Sequence, residues 1–283
     1  MKVLGGSSRA SVLTLRKSLT EVVEKQSATD AAVFATNLFT ILSVLSTSIG
    51  VRRALTDNSR DASAKAELIS NLFGKNISSP AQSLLALAAS LRWSSPGEIA
   101  DAFENLAVEA EAAAADKNGE LERLENQLFE FARVLRANPE LRQALNTSAD
   151  TDQGKISLLE SVVKGKYANS TLNLLRRVVL LRRGRSIDST LAAYSHYVSA
   201  RKDRLVAHVK SAAASVTVKN GMTKDNKLSR INGRDVYKAK DGNLYALDTQ
   251  HGRFEVINPK SGRHLGEVDF DFMQIKRPDT SGG

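Results

Sequence analysis

The stretch Leu38-Phe39-Thr40-Ile41-Leu42-Ser43-Val44-Leu45 is answered ninety residues later, without a gap, by Leu128-Phe129-Glu130-Phe131-Ala132-Arg133-Val134-Leu135. The same offset relates Ala54-Leu55 to Ala144-Leu145, Leu68 to Leu158, Leu84 to Leu174, Leu91-Arg92 to Leu181-Arg182, and Ala102 to Ala192. A period this long makes each copy a small domain rather than a solenoid unit. Leu121, Leu124, Leu128, Phe131 and Leu135 fall on one stripe of a helix. The repeat therefore predicts two tandem helical bundles, over residues 1–116 and 117–210.

Comparing the copies also decides what one of them cannot. Residues 31–51 carry no charge over 21 positions, a length that can span a bilayer. Their equivalents, 121–141, hold Glu122, Arg123, Glu125, Glu130, Arg133, Arg136 and Glu140, so the shared pattern is an amphipathic helix and not a membrane span. Composition agrees, with 42% hydrophobic but only 5% aromatic residues, which suits helices packed through small aliphatic side chains. Residues 101–116, nearly all Ala, Val, Leu, Glu and Asp, read as a long exposed helix leading out of the first copy.

The net charge of +9 is matched by residues 164–210 alone, where eleven Lys/Arg stand against two Asp/Glu. Residues 98–150 hold twelve acidic against five basic residues, and such blocks dock on partners or on each other. The absence of cysteine excludes a disulfide framework and thiolate chemistry and fits a reducing cytoplasm. The first six residues lack the apolar core of a signal peptide.

From residue 215 the composition turns to Lys, Asn, Gly, Asp and Thr with short apolar alternation, which predicts a loop and then antiparallel strands. The expected fold is mainly α: two bundles, a linker over 211–219, and a small antiparallel β (α+β) domain over 220–283. Within that domain, residues 244–248 and 253–257 are strand-like and separated by Thr249-Gln250-His251-Gly252, a hairpin loop. Pairing Asp248 with Arg253 puts Tyr245, Leu247, Phe254 and Val256 on a packed face, and Asp248, Arg253 and Glu255 on a face free for chemistry. A histidine at the turn beside two carboxylates can cut RNA without a metal. A base takes the 2′-hydroxyl proton while an acid protonates the leaving 5′-oxygen. The same residue types also build ordinary surface ion-pair ladders, and residue type alone leaves both readings open.

Two resemblances bear on the choice. The sequence Leu141 to Leu145, Lys155 to Leu159 (K-x-x-L-L), Gly165-Lys166, the Leu-rich run 172–181, Arg182-Arg183-Gly184-Arg185 and the segment 201–209 resembles the delta subunit of F-type ATP synthases. The first copy repeats the scheme at Arg53-Ala54-Leu55, Lys65 to Ile69, Gly74-Lys75 and residues 91–95, like the duplicated delta subunits of actinobacteria. That resemblance implies a non-catalytic, cofactor-free subunit, cytoplasmic and peripheral on the inner face of the membrane. Its bundle would cap the catalytic head through the alpha subunits, and its following domain would hold stalk subunit b. The segment 204–210 would be the first strand of that stalk-binding domain, but the rest of the family's pattern does not follow it.

The second resemblance lies in Tyr245-x-x-Asp248-x-Gln250-His251-Gly252-x-x-Glu255, followed by Lys260-x-Gly262-x-His264-Leu265-Gly266 and Asp269. It is similar to the ribosome-cleaving nuclease domain of the E-group colicins. The resemblance implies Glu255 as general base, His251 as general acid, Asp248 orienting the histidine, and His264 as a further family histidine. It also implies ribosomal RNA as substrate and a small acidic immunity protein as inhibitor. Lys224, Lys227, Arg230, Arg234 and Lys238 are the expected phosphate contacts, with Arg277 as a late family arginine. Residues 215–283 carry twelve Lys/Arg against nine Asp/Glu, a weaker basic excess than that family shows. Three readings stand together: a stalk subunit fused to an active nuclease, a stalk subunit with an inactive tail, and a toxin with a helical carrier.

Overall fold

The helices repeat at the spacing of the sequence. The computed structural model describes residues 4–147, 151–163 and 165–276. The first copy's α3 (Ile49–Thr56), α4 (Ala62–Phe73) and α5 (Ser79–Ser90) begin and end ninety residues before α8 (Pro139–Asn146), α9 (Asp152–Val163) and α10 (Asn169–Leu180). Ahead of them come α1 (Gly6–Glu24) and α2 (Ala28–Thr47), whose counterparts are α6 (Glu98–Lys117) and α7 (Leu121–Ala137). The expected stripe on α7 is buried at all five positions. Lys65 and Lys155, which open the equivalent segments Lys65 to Ile69 and Lys155 to Leu159, are both buried. Lys65 Nζ donates to the Ala89 carbonyl at 2.7 Å, satisfying the C-terminal end of α5.

Two compact units divide the chain, residues 1–201 and 202–283. In the first, α2 is, among the described residues, the helix both long and apolar enough to cross a membrane, but Phe34, Leu38, Phe39, Ile41, Leu42 and Leu45 are buried in protein, chiefly along α6. The expectation that residues 101–116 form an exposed helix is overturned: sixteen of the twenty residues of α6 are buried. The reason is that α6 belongs to both copies. It packs on α1, α2 and α3 of the first and on α7 and α10 of the second. Alanines at 100, 102, 107, 110 and 112–115 allow these close approaches.

Four glutamates on α6 are also buried, and each has partners. Glu98 accepts from Ser8 Oγ and the Gly5 amide, and Glu109 pairs with Arg16 at 2.9 Å. From the second copy, Arg183 and Arg185 meet Glu104, Arg183 Nη2 also reaches Asp101 at 2.7 Å, and Asn173 donates to Glu111 at 3.0 Å. The acidic and basic blocks of the sequence thus dock partly on each other.

The helix α11 (Ile187–Lys219) ends the first unit and opens the second. Residues 211–219, expected as a linker, are its last turns, and residues 204–210 are helical where the resemblance implied a strand. Val209, Ala213, Val216 and Thr217 recur at helical spacing; the first three pack on the aromatic core of the second unit, and Thr217 is buried.

That unit is a meander of six antiparallel strands in the order β1 (Thr223–Lys224), β2 (Val236–Lys238), β3 (Leu244–Asp248), β4 (Arg253–Ile257), β5 (His264–Val268) and β6 (Gln274–Lys276). A short helix, α12 (Asn226–Asn232), joins β1 to β2. Phe254 is fully buried, edge-on to Tyr237, Tyr245 and Phe270 and stacked on Phe272.

Candidate active site

The hairpin β3–β4 has the register expected, with Asp248 opposite Arg253, Leu247 opposite Phe254 and Tyr245 opposite Val256. Tyr245, Leu247, Phe254 and Val256 all lie in the aromatic core. Tyr245 is held there by a hydrogen bond from its hydroxyl to Asp241 at 2.7 Å. Burial first and that bond second push the phenol up to about 12. The second face is not wholly free: Val236, Leu244 and Ala246 form a smaller apolar cluster with Leu228 and Ile257. The remainder of that face is polar. Because β5 pairs Ile257 with His264 and Glu255 with Glu267, it carries Asp248, Arg253, Glu255, His264 and Glu267 together.

Asp248 organises the turn. Its Oδ1 accepts the amides of Gln250 at 3.0 Å and His251 at 3.2 Å, and Gly252 closes the loop at φ 66°, a conformation that favours glycine. Its Oδ2 lies 2.7 Å from His251 Nδ1 and 3.3 Å from Arg253 Nε. Burial raises the Asp248 carboxyl, but the hydrogen bonds and charge of His251 outweigh it, and the net shift is down. A carboxylate on Nδ1 favours a proton on that nitrogen and leaves Nε2 of the half-exposed ring as the nitrogen not taken by Asp248.

Glu255 is engaged by Arg234, whose Nη2 stands 2.5 Å from Oε2. That hydrogen bond holds the Glu255 carboxyl below its ordinary range against the effect of burial. The charges of Arg234 and His264 add to it and Asp248 opposes. His264, half-buried on β5, therefore belongs electrostatically to the same site.

The expected phosphate contacts divide into two groups. Lys224 pairs with Asp235 at 2.6 Å, Lys238 with Asp225 at 3.1 Å and Arg234 with Glu255. Lys227 and Arg230, exposed on α12, have no ion-pair partner among the described residues. Arg277 lies outside the described residues. Glu267 was not foreseen. It comes opposite Glu255 only because the strand pairing shifts at Val256/Ile257, a bulge that simple alternation does not reveal. Among the described residues no group of three or more His, Asp or Glu is arranged to hold a metal ion.

These features define a two-part protein: a helical unit joined to a small sheet that gathers carboxylates and histidines on one polar face. Residues 109–219 match the family model described as ATP synthase delta (OSCP) subunit, and residues 214–282 match the family described as Cytotoxic. An ATP synthase subunit delta of Streptomyces coelicolor is 36% identical over 75% of this chain and 77% of its own length. That of Kineococcus radiotolerans is 36% identical over 73% and 75%, and that of Thermobifida fusca 31% over 78% and 84%. The chain belongs to the ATP synthase delta subunit family. Its C-terminal part carries a colicin E-type domain of the Cytotoxic family, whose matched residues begin within the last turns of α11.

Proposed function

We propose that the first unit works as a delta-type peripheral stalk subunit and that the second cleaves small-subunit ribosomal RNA. The helical unit associates with ATP synthase subunits, the alpha subunits of the catalytic head first and stalk subunit b second. That role places the chain on the cytoplasmic face of the membrane, peripheral to it. In the nuclease, Glu255 accepts the proton of a ribose 2′-hydroxyl as that oxygen attacks the adjacent phosphorus. His251, as the imidazolium, then gives its Nε2 proton to the departing 5′-oxygen, leaving a 2′,3′-cyclic phosphate. Asp248 holds the ring, and Lys227 and Arg230 offer unpaired charge to the RNA backbone. A small acidic inhibitor protein protects the host ribosomes.

The observation that carries the nuclease reading is the 2.7 Å contact of Asp248 with His251 on the face that also holds Glu255 and His264. Its test is inhibition of cell-free translation by the full chain, with primer extension across the small-subunit RNA. The chain is expected to stop translation and leave one cleavage end, and His251→Ala and Glu255→Ala are expected to abolish both. Equal inhibition by all three proteins would defeat the assignment. One observation favours a second reading, a stalk subunit with a silent tail: Arg234 occupies Glu255 and weakens it as a base. A wild-type chain that leaves the RNA intact would establish it.

A further inference from the structure

Arg253 and Glu267 have no part in the chemistry described above, yet they adjoin Asp248 and Glu255. Arg253 Nε lies 3.3 Å from Asp248 Oδ2, the oxygen that also takes His251 Nδ1, and its Nη1 lies 2.8 Å from Glu267 Oε2. The second approach is an ion pair by distance, without the alignment of a hydrogen bond. Glu267 is buried and stands directly opposite Glu255 across the β4–β5 pair. Two carboxylates in that position repel each other unless each has its own cation. Arg234 serves Glu255, and Arg253 serves Glu267.

We infer that Arg253, anchored by Glu267, is a positioning residue that divides the Asp248 carboxylate between itself and His251 and so sets the pH at which His251 can act as an acid. The inference rests on the nuclease reading for its meaning but not for its measurement. Asp248 on β3 contacts the ring; the other charged groups on that face are Arg253 and Glu255 on β4, His264 and Glu267 on β5, and Arg234 before β2, while α11 meets the turn at Val209, which His208 and Lys210 flank. Of these, Arg253 is the cation on the oxygen that binds the imidazole. Removing its charge leaves Asp248 and Glu267 unopposed and favours the imidazolium. Removing the charge of Glu267 turns Arg253 wholly onto Asp248 and disfavours it.

The two substitutions therefore act in opposite directions, which loss of packing alone does not do. In the full chain, the His251 ring titration is followed by NMR for Arg253→Gln, Glu267→Gln and Arg253→Lys. The midpoint is expected to rise by about one pH unit in the first and fall by a smaller amount in the second. Lysine, which keeps the charge but cannot reach both carboxylates through a planar fork, lies between glutamine and wild type. If the nuclease reading holds, the alkaline limb of the cleavage profile moves with the midpoint. Midpoints that stay put, or move the same way in the first two variants, would overturn the inference whether or not RNA is cut. Midpoints that move while no RNA is cut would retain the electrostatic relation and sink the nuclease reading instead.

Discussion

The ring of Phe39 on α2 lies 6.3 Å from that of Tyr194 on α11 and has the guanidinium of Arg177 5.2 Å from its centroid, so the first copy of the repeat closes its core on the second. Phe129 is the equivalent residue ninety positions on, and no later copy covers it. It is 60% exposed, whereas Phe39 is 1% exposed. Phe39→Ala is expected to destabilise the protein by about 3–5 kcal/mol, as for a large ring removed from a core. Phe129→Ala should change stability by no more than about 0.5 kcal/mol. Urea unfolding of both variants at one pH makes the comparison, and equal losses would contradict the asymmetry of the copies.

Glu104 supplies a second comparison. Its side chain is 2% exposed while Arg183 and Arg185, which it meets, keep partial access to water. Removing both arginines strands a buried carboxylate, at a cost of about 3–5 kcal/mol. Glu104→Gln leaves two cations that can still reach solvent, and one of them still has Asp101. Chemical denaturation should therefore rank Arg183→Ala/Arg185→Ala as clearly more damaging than Glu104→Gln. The reverse order would place the desolvation on the arginines.

Glu111 makes the helical unit sensitive to pH. Burial pushes its carboxyl up to about 7, against the hydrogen bond from Asn173 and the charge of Arg177. A raised native value means that the folded state holds a proton the unfolded state has released. This contribution is intact below about pH 4.5 and declines as pH rises toward 7. The loss is on the order of 3 kcal/mol when complete. Glu111→Gln, which keeps the shape and the neutral charge, should flatten that part of the stability profile and be the more stable protein at pH 8. A variant whose profile overlays the wild type would show that Glu111 ionises freely.

The second unit depends on α11. Ala213 is fully buried beneath the sheet beside Met222, with Val209 and Val216 packed around it. Ala213→Asp puts an unpaired charge there and should cost more than about 3 kcal/mol. Amide hydrogen exchange on the full chain should then show β3 and β4 exchanging rapidly while α7 and α10 remain protected. Retained protection in the sheet would mean that the core of the second unit is complete without the helix.

The residues that were legible in the sequence share one property: their periodicity matches a single neighbour. The stripe from Leu121 to Leu135 repeats every three or four residues because one core lies on one side of α7. Asp248 and Arg253 could be paired because a four-residue loop leaves the alternation of both strands intact. What was not legible has more than one neighbour or an irregular step. An Ala/Glu helix has the same composition whether water or five other helices surround it, so the burial of α6 could not be read from residues 98–117 alone. The polar run through Lys210 and Ser211 concealed Val209, Ala213 and Val216 because the sheet they cover comes later in the chain. Glu267 was hidden by the bulge at Val256/Ile257.

The double membership of α6 also bears on how such a chain evolves and folds. A unit of ninety residues was repeated, but each finished bundle uses more than ninety, because the last wall of one is the first wall of the next. Neither copy can melt without exposing the flank of the other, so residues 4–201 should unfold in a single transition where two separate bundles would give two. A substitution on α6 is tested by two cores at once. In a protein of this design that helix, rather than either copy's surface, is where a substitution should cost most.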